Sequence, residues 1–216
     1  KQKFRSDIDG LRSIAVLSVL LFHLDVDFFQ GGFVGVDIFF VISGYLITNL
    51  IQFELLQTSK FNYKSFYYRR ARRLFPALFV TILFTSILSL FYLDVPDSIA
   101  AIESGIYALF GLSNVNFWIE SGYFDHSKYL KPLLHTWSLS IEEQYYLFWP
   151  FLLSLIFFRF GHNYLLRFIV LIIFISFILA MLPIYSVFLS LFSNSDLAFL
   201  SHDRIYSAAF YMMPLR

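Results

Sequence analysis

The chain contains no cysteine, which excludes a disulfide framework, thiolate catalysis and a thiolate metal site. Charge is scarce: 14% of the 216 residues are Asp, Glu, Lys or Arg, where a soluble domain carries about 25%. The net charge of +1 points to no polyanionic partner, and nothing supports nucleic-acid binding. No GxGxxG, P-loop or GxSxG sequence is present. His126, His162 and His202 are scattered without ligand spacing, so no metal is expected. There are no internal repeats or low-complexity tracts. The first apolar run ends in acids with no small-residue cleavage site, so it is expected to be retained rather than removed as a signal peptide. The last residues before Arg216 look like the start of a new segment, and a longer natural protein is expected.

What the chain has in abundance is apolar surface. Hydrophobic residues make up 58% and aromatics 21%, with 29 Phe and 14 Tyr; the mean hydropathy is +0.68. A soluble surface built from this composition would be one apolar patch, whereas lipid solvates it. Runs near the length of a span, about 20 residues, cover 8–28, 33–51, 74–93, 141–160 and 164–188. A further run, 99–119, is interrupted by Glu103, Gly105, Asn114 and Asn116, and is read as spanning, re-entering or lying in the interface. The runs are continuous rather than alternating, so helices are expected, not a barrel. The expected fold is all-α, a multi-pass transmembrane bundle. Pro76 is expected in the first turn of the 74–93 helix, where proline is tolerated.

Basic residues set the expected orientation. Lys1, Lys3 and Arg5 precede the first run, and Lys60, Lys64, Arg69, Arg70, Arg72 and Arg73 follow the second, while 25–32 holds acids and no base. The N-terminus and the arginine-rich stretch are therefore expected in the cytoplasm. Arg159 and Arg167 place their loop inside if 99–119 does not cross fully; a full crossing puts 123–135, with Lys128 and Lys131, inside instead.

Three groups of residues carry chemistry. Arg12 and His23 stand eleven positions apart, close to three turns, so they share one helix face about 16 Å apart along its axis. Asp9 is in pairing range of Arg12. Polar groups on one face of an embedded helix are expected to face protein. Asp37, early in the second run, is expected at the depth of His23, where it would fix the imidazole tautomer and raise its basicity as for a general base. The alternative is an interfacial His23 with Asp37 capping the second helix.

The second group, Arg69-Arg70-Ala71-Arg72-Arg73, reads either as positive-inside residues on anionic lipid or as a phosphate clamp of guanidinium forks. The third is the stretch from His135 to Tyr146. His135, Ser138, Glu142 and Tyr145 fall on one helix face. Ser140 and Glu143 fit a capping box, and Trp137, Tyr145, Tyr146 and Trp149 fit an interfacial belt. Glu143 is assigned to capping and Glu142 is kept as the candidate polar site within the bundle.

Together these residues resemble the acyltransferase-3 family of bacterial inner-membrane proteins. Arg12 and His23 match its Arg-x10-His pattern. Residues 32–45, Gly-Phe-Val-Gly-Val-Asp-Ile-Phe-Phe-Val-Ile-Ser-Gly-Tyr, resemble its second-span signature. Residues 70–76, Arg-Ala-Arg-Arg-Leu-Phe-Pro, resemble its Arg-x-x-Arg-Ile-x-Pro loop, with Leu74 for Ile. Residues 132–146, around Trp137-Ser138-Leu139 and Glu142, resemble its Trp-Ser-Leu-x-x-Glu region.

The resemblance implies that 1–216 is the N-terminal part of a roughly ten-span membrane domain, here with five to six spans, in the bacterial inner membrane. It implies transfer of an acyl group, most commonly acetyl, from cytoplasmic acyl-CoA to a hydroxyl of a surface carbohydrate such as O-antigen or lipopolysaccharide. The longer forms it resembles carry a C-terminal SGNH-type domain. In this reading His23, Asp37 and Glu142 are catalytic. Arg12, Arg69, Arg70, Arg72 and Arg73 hold the CoA donor, and Ser43, His135, Trp137 and Ser138 contact substrate. The same intramembrane polar residues also suit a transporter or flippase for a lipid-linked sugar or acyl group, or a non-catalytic membrane scaffold. Only the enzyme consumes acyl-CoA, and only the scaffold tolerates alanine at His23, Asp37 and Glu142 alike.

Overall fold

The computed structural model describes residues 5–120 and 130–192. Lys1, Lys3, Lys128, His126 and His202 lie outside the described residues. Every regular element among the described residues is helical, as the apolar runs predict. The chain divides into two units, 1–61 and 62–215, and each is taken by itself.

The first unit is a hairpin of α1 (Ser6–His23) and α2 (Val34–Thr58), joined through a 3-10 turn, Asp27–Phe29. The first run was expected to stay helical to residue 28. Instead α1 stops at His23, and Asp25 takes a left-handed φ of 52°, a conformation Asp tolerates better than most residues. Apolar Leu24, Val26, Phe28 and Phe29 hide this turn from a hydropathy reading. Two glycines set the helix contact. A Cβ on Gly32 would lie 2.1 Å from the Ser18 carbonyl oxygen, and one on Gly35 would lie 2.5 Å from that of Ala15. Ala15 is fully buried opposite them. Small residues at such a crossing let two backbones approach in a medium where apolar burial alone gives no drive to associate.

The second unit opens with α3 (Tyr63–Tyr92). Asn62 caps it by accepting a hydrogen bond from the Ser65 N–H at 3.0 Å. The arginine run was expected in a loop; it is helical, in the second and third turns of α3. Pro76 consequently sits inside the helix rather than in its first turn. It has no N–H to give to the carbonyl of Arg72.

The interrupted run is two helices, α4 (Val95–Leu109) and α5 (Ser113–Glu120). They are separated at Gly111, which has φ +65°. At 1.5 Å per residue α4 is about 22 Å long, short of the roughly 30 Å hydrocarbon core. Glu120, the last residue of α5, lines the same cavity as Asp97, the third residue of α4. So α5 folds back along α4, and the pair is a helical hairpin.

Next come α6 (Thr136–Phe160), which contains Pro150, and α7 (His162–Phe192). Leu78, Ile82, Ala108 and Leu133 form a buried cluster linking α3, α4 and the segment entering α6. Among the described residues, α2 and α3 are long and apolar enough to cross a membrane. Only 28% and 17% of their apolar windows are buried, so most of this surface is left for an apolar surrounding. Asp7, Asp9 and Arg12 keep α1 short of that measure, and Glu142-Glu143-Gln144 lower the hydropathy of α6.

Candidate active site

In the hairpin of the first unit, His23 is the terminal residue of α1 and is exposed. Its Nδ1 lies 2.8 Å from the Val19 carbonyl oxygen. A carbonyl can only accept, so Nδ1 carries the proton and the neutral ring keeps its lone pair on Nε2. The tautomer is therefore set by the helix's own backbone and not, as expected, by Asp37.

The glycine register explains why Asp37 does not reach the imidazole. Gly32 meets the Ser18–Phe22 turn and Gly35 meets Ala15 and Val19. Two residues further along α2, Asp37 falls level with about Ala15, roughly 12 Å down the axis from His23 at 1.5 Å per residue. The expected common depth is thus corrected, because α1 ends sooner than its apolar run. Asp37 Oδ1 is buried and accepts no hydrogen bond, and no side-chain cap bond forms at the start of α2, so Asp37 does not act as a cap either. A buried carboxylate oxygen without a donor is costly and marks a place where a donor from elsewhere is needed.

At the other end of the hairpin is a groove of about 610 Å³ between α1 and α2. Arg12, half-buried, lines it with Arg5, Asp9, Tyr45, Asn49 and Gln52. Arg12 is 3.7 Å from Asp9. The fork of Arg5 donates to Asp7 at 2.6 and 2.9 Å. Ser43, expected at the substrate, is buried on α2.

In the second unit, the helical arginine run splits by face. Arg69, Arg72 and Arg73 are exposed and lie at three- and four-residue spacing, on one side of α3; Arg69 also donates to Ser65. Arg70 turns the other way. Its guanidinium lies 4.9 Å from the ring centroid of Tyr146 and 5.7 Å from that of Phe66. The Tyr146 hydroxyl donates to Glu142 Oε2 at 3.3 Å. Tyr67 adds a bond from α3 to the Leu147 carbonyl at 2.8 Å. Arg70, Tyr146 and Glu142 thus form one connected group, and the four arginines are not a single clamp.

The capping box is overturned, because α6 begins at Thr136, four residues before Ser140. Ser140 is buried and crosses to α5: its Oγ accepts from the Ser113 N–H at 3.1 Å and lies 2.7 Å from Ser113 Oγ. Gln144 donates to the Gly111 carbonyl at 2.8 Å and to Asn114 Oδ1 at 2.9 Å. Asn114 and Asn116 are buried. Backbone freed at the α4–α5 break is thereby satisfied from α6, as it must be where no water reaches.

Sequence reasoning noted Asn114 and Asn116 only as interruptions and passed over Ser113 and Gln144. The signal was there in Gly111 followed at once by Ser113-Asn114, a helix stop and then a start. Trp137 and Tyr146 are buried, while Tyr145 stacks on Trp149 and Trp149 on Phe168 of α7. These aromatics therefore pack the bundle rather than form a belt. Of the remaining expected residues, Ser138 donates to the carbonyl of exposed His135 at 3.2 Å.

Gly111 also makes room for Glu143, whose Oε2 would lie 2.7 Å from an added Cβ. Gly111→Ala therefore meets both a left-handed φ, costing roughly 1–2 kcal/mol, and a side-chain clash. The thermal midpoint of the purified protein is expected to fall by about 2–8 °C. Gly10→Ala, in open space, is expected to leave it near the wild-type value.

The described chain thus combines apolar helix faces, an imidazole that donates from Nδ1 and a groove lined by two arginines and Asp9. The chain belongs to the acyltransferase-3 family: the family's sequence model, described as an acyltransferase domain, matches residues 5–213. It is 42% identical over 151 residues to a peptidoglycan O-acetyltransferase of Listeria monocytogenes, covering 69% of this chain and 24% of that one. It is 37% identical over 210 residues to a putative O-acetyltransferase of Staphylococcus aureus, covering 95% and 32%. It is 39% identical over 161 residues to a second O-acetyltransferase of that organism, covering 73% and 26%. The chain spans about a quarter to a third of the length of these relatives. No solved structure matches it. The family read from the four motifs is therefore the right one, and with α2 and α3 it makes this a membrane protein.

Proposed function

We propose that this chain is part of a membrane O-acyltransferase that moves an acetyl group from acyl-CoA to a hydroxyl of a cell-envelope polysaccharide. One observation carries the reading: a single helix pair holds an imidazole with a free Nε2 lone pair at one end and a groove lined by Arg5 and Arg12 at the other. Nε2 is suited to take the proton of the attacking hydroxyl. The groove, and the exposed Arg69, Arg72 and Arg73, suit the phosphates of the donor. The buried Asp37 oxygen lies at a level between them, where it would accept a donor group from bound substrate. Glu142, held by Tyr146, is a second candidate carboxylate.

The proposed topology has five crossings, α1, α2, α3, α6 and α7, in the bacterial inner membrane with the N-terminus inside. The α4–α5 hairpin re-enters from the outer side without crossing. This hairpin supports the option that puts Arg159 and Arg167, on either side of Gly161, in the cytoplasm, in keeping with the positive-inside rule.

Among acceptors, one relative is named for peptidoglycan, which moves peptidoglycan ahead of O-antigen or lipopolysaccharide. An SGNH-type domain would belong to the rest of a longer chain.

The test restores the full-length gene to a strain lacking it and counts O-acetyl groups on purified cell-wall and surface polysaccharides by NMR. Restored acetylation on one polysaccharide is expected. Unchanged acetylation on all of them, with no acyl-CoA turnover in the membranes, would overturn the reading in favour of transport.

The split arginine run leads to a second prediction. Arg70→Met removes a cation–π contact worth about 0.5–2 kcal/mol, and should lower stability with the KM for acyl-CoA unchanged. Arg72→Ala and Arg73→Ala should raise that KM and leave stability alone. Steady-state kinetics beside a thermal melt separates them; a donor KM that responds only to Arg70 would restore it to the donor site.

A further inference from the structure

We infer that the cavity inside the α4–α5 hairpin is a subsite for one sugar ring of the acceptor glycan, an assignment that rests on the proposed transfer reaction. The cavity is about 220 Å³ and is lined by Asp97, Ala101 and Ser104 of α4, Phe117 and Glu120 of α5, and Lys131. Its polar wall is fixed in place. The Asn116 amide donates to Glu120 Oε1 at 2.8 Å, and Lys131 Nζ lies 3.2 Å from Glu120 Oε2. The Lys131 side chain is only 13% exposed. Its partner Glu120 keeps 32% of its side chain exposed, so the pair opens toward the cavity mouth, and desolvation of the lysine offsets part of the attraction.

Charge selects the ligand class. Two carboxylates, Asp97 and Glu120, face one ammonium, Lys131. That balance repels phosphates, so the cavity does not suit the CoA donor, whereas the groove beside Arg5 and Arg12 does. Carboxylates accept from neighbouring hydroxyls, while Ala101 and Phe117 offer apolar surface to the C–H face of a ring. A neutral polyol of one ring fits both walls and the volume. On the proposed topology the hairpin opens to the outer side, where a cell-envelope glycan arrives.

The experiment uses the full-length protein in membranes with radiolabelled acetyl-CoA as donor and chitopentaose as acceptor. Acetylation of the sugar and hydrolysis of the donor are followed together. Asp97→Asn is nearly isosteric and weakens acceptance from hydroxyls; Ala101→Phe fills the cavity. Both are expected to raise the KM for chitopentaose roughly tenfold to a hundredfold, with kcat and donor hydrolysis close to wild type. A melt confirms that each variant is folded, and Asp97→Asn stands alone should Ala101→Phe fail to fold. An unchanged acceptor KM in folded Asp97→Asn, with transfer intact, would overturn the subsite and leave the acyltransferase reading standing. Failure of the wild type both to label the sugar and to hydrolyse the donor would remove the transfer reading and the subsite with it.

Discussion

His23→Gln is expected to lower acetyl transfer by about 10²–10⁴-fold, the usual contribution of a positioned general base, at unchanged membrane level. The expectation follows from the end of α1. The helix stops at His23, so the ring is exposed, and its Nδ1 proton is committed to the Val19 carbonyl at 2.8 Å. Glutamine can still donate to that carbonyl but offers no basic nitrogen, so the variant separates chemistry from local structure. Near-normal transfer by the variant would take His23 out of the mechanism.

Gly32→Ala is expected to be the most damaging substitution for the fold. Its Cβ would fall 2.1 Å from the Ser18 carbonyl oxygen and 2.9 Å from the Ser18 carbonyl carbon. Both are backbone atoms, so no rotamer change relieves the clash and the two helices must separate. Overpacking of this kind costs typically 1–3 kcal/mol and occasionally more. Gly31→Ala, one residue away, has open space and is the matched control. The thermal midpoint and the protease resistance of the α1–α2 hairpin should drop for Gly32→Ala and hold for Gly31→Ala. Equal behaviour of the two variants would contradict the packing described.

Much of this architecture was legible because apolar runs and helices largely coincide: each run between 8 and 188 holds a helix, and Arg12 and His23 share α1. What escaped did so for physical reasons. Leu24, Val26, Phe28 and Phe29 are as apolar in a turn as in a helix, so hydropathy ran the first span five residues too far, and the depth assigned to Asp37 moved with it. Pro76 is compatible with a helix start, and sequence alone does not say that capping by Asn62 begins α3 thirteen residues earlier. Within the arginine run, adjacent positions differ by about 100° in direction. Assigning Arg70 inward and Arg69, Arg72 and Arg73 outward therefore needed the packing against Tyr146. The same step size separates Glu142, Glu143 and Gln144, and only the fold shows that Gln144 reaches Gly111 while Tyr146 reaches Glu142. The ambiguity of 99–119 was itself informative, since its Gly and Asn residues are the ones that build the break between α4 and α5.

The proposed reaction passes an acyl group from a donor on one side of the membrane to a glycan on the other. The most direct measurement seals the full-length protein in vesicles of known orientation. Radiolabelled acetyl-CoA is placed on the side of the N-terminus, and a cell-wall glycan on the other. Label covalently attached to the glycan, with free CoA released in equal amount on the donor side, is the predicted result. Unmodified glycan with intact acetyl-CoA, or label that crosses without becoming attached, would contradict it.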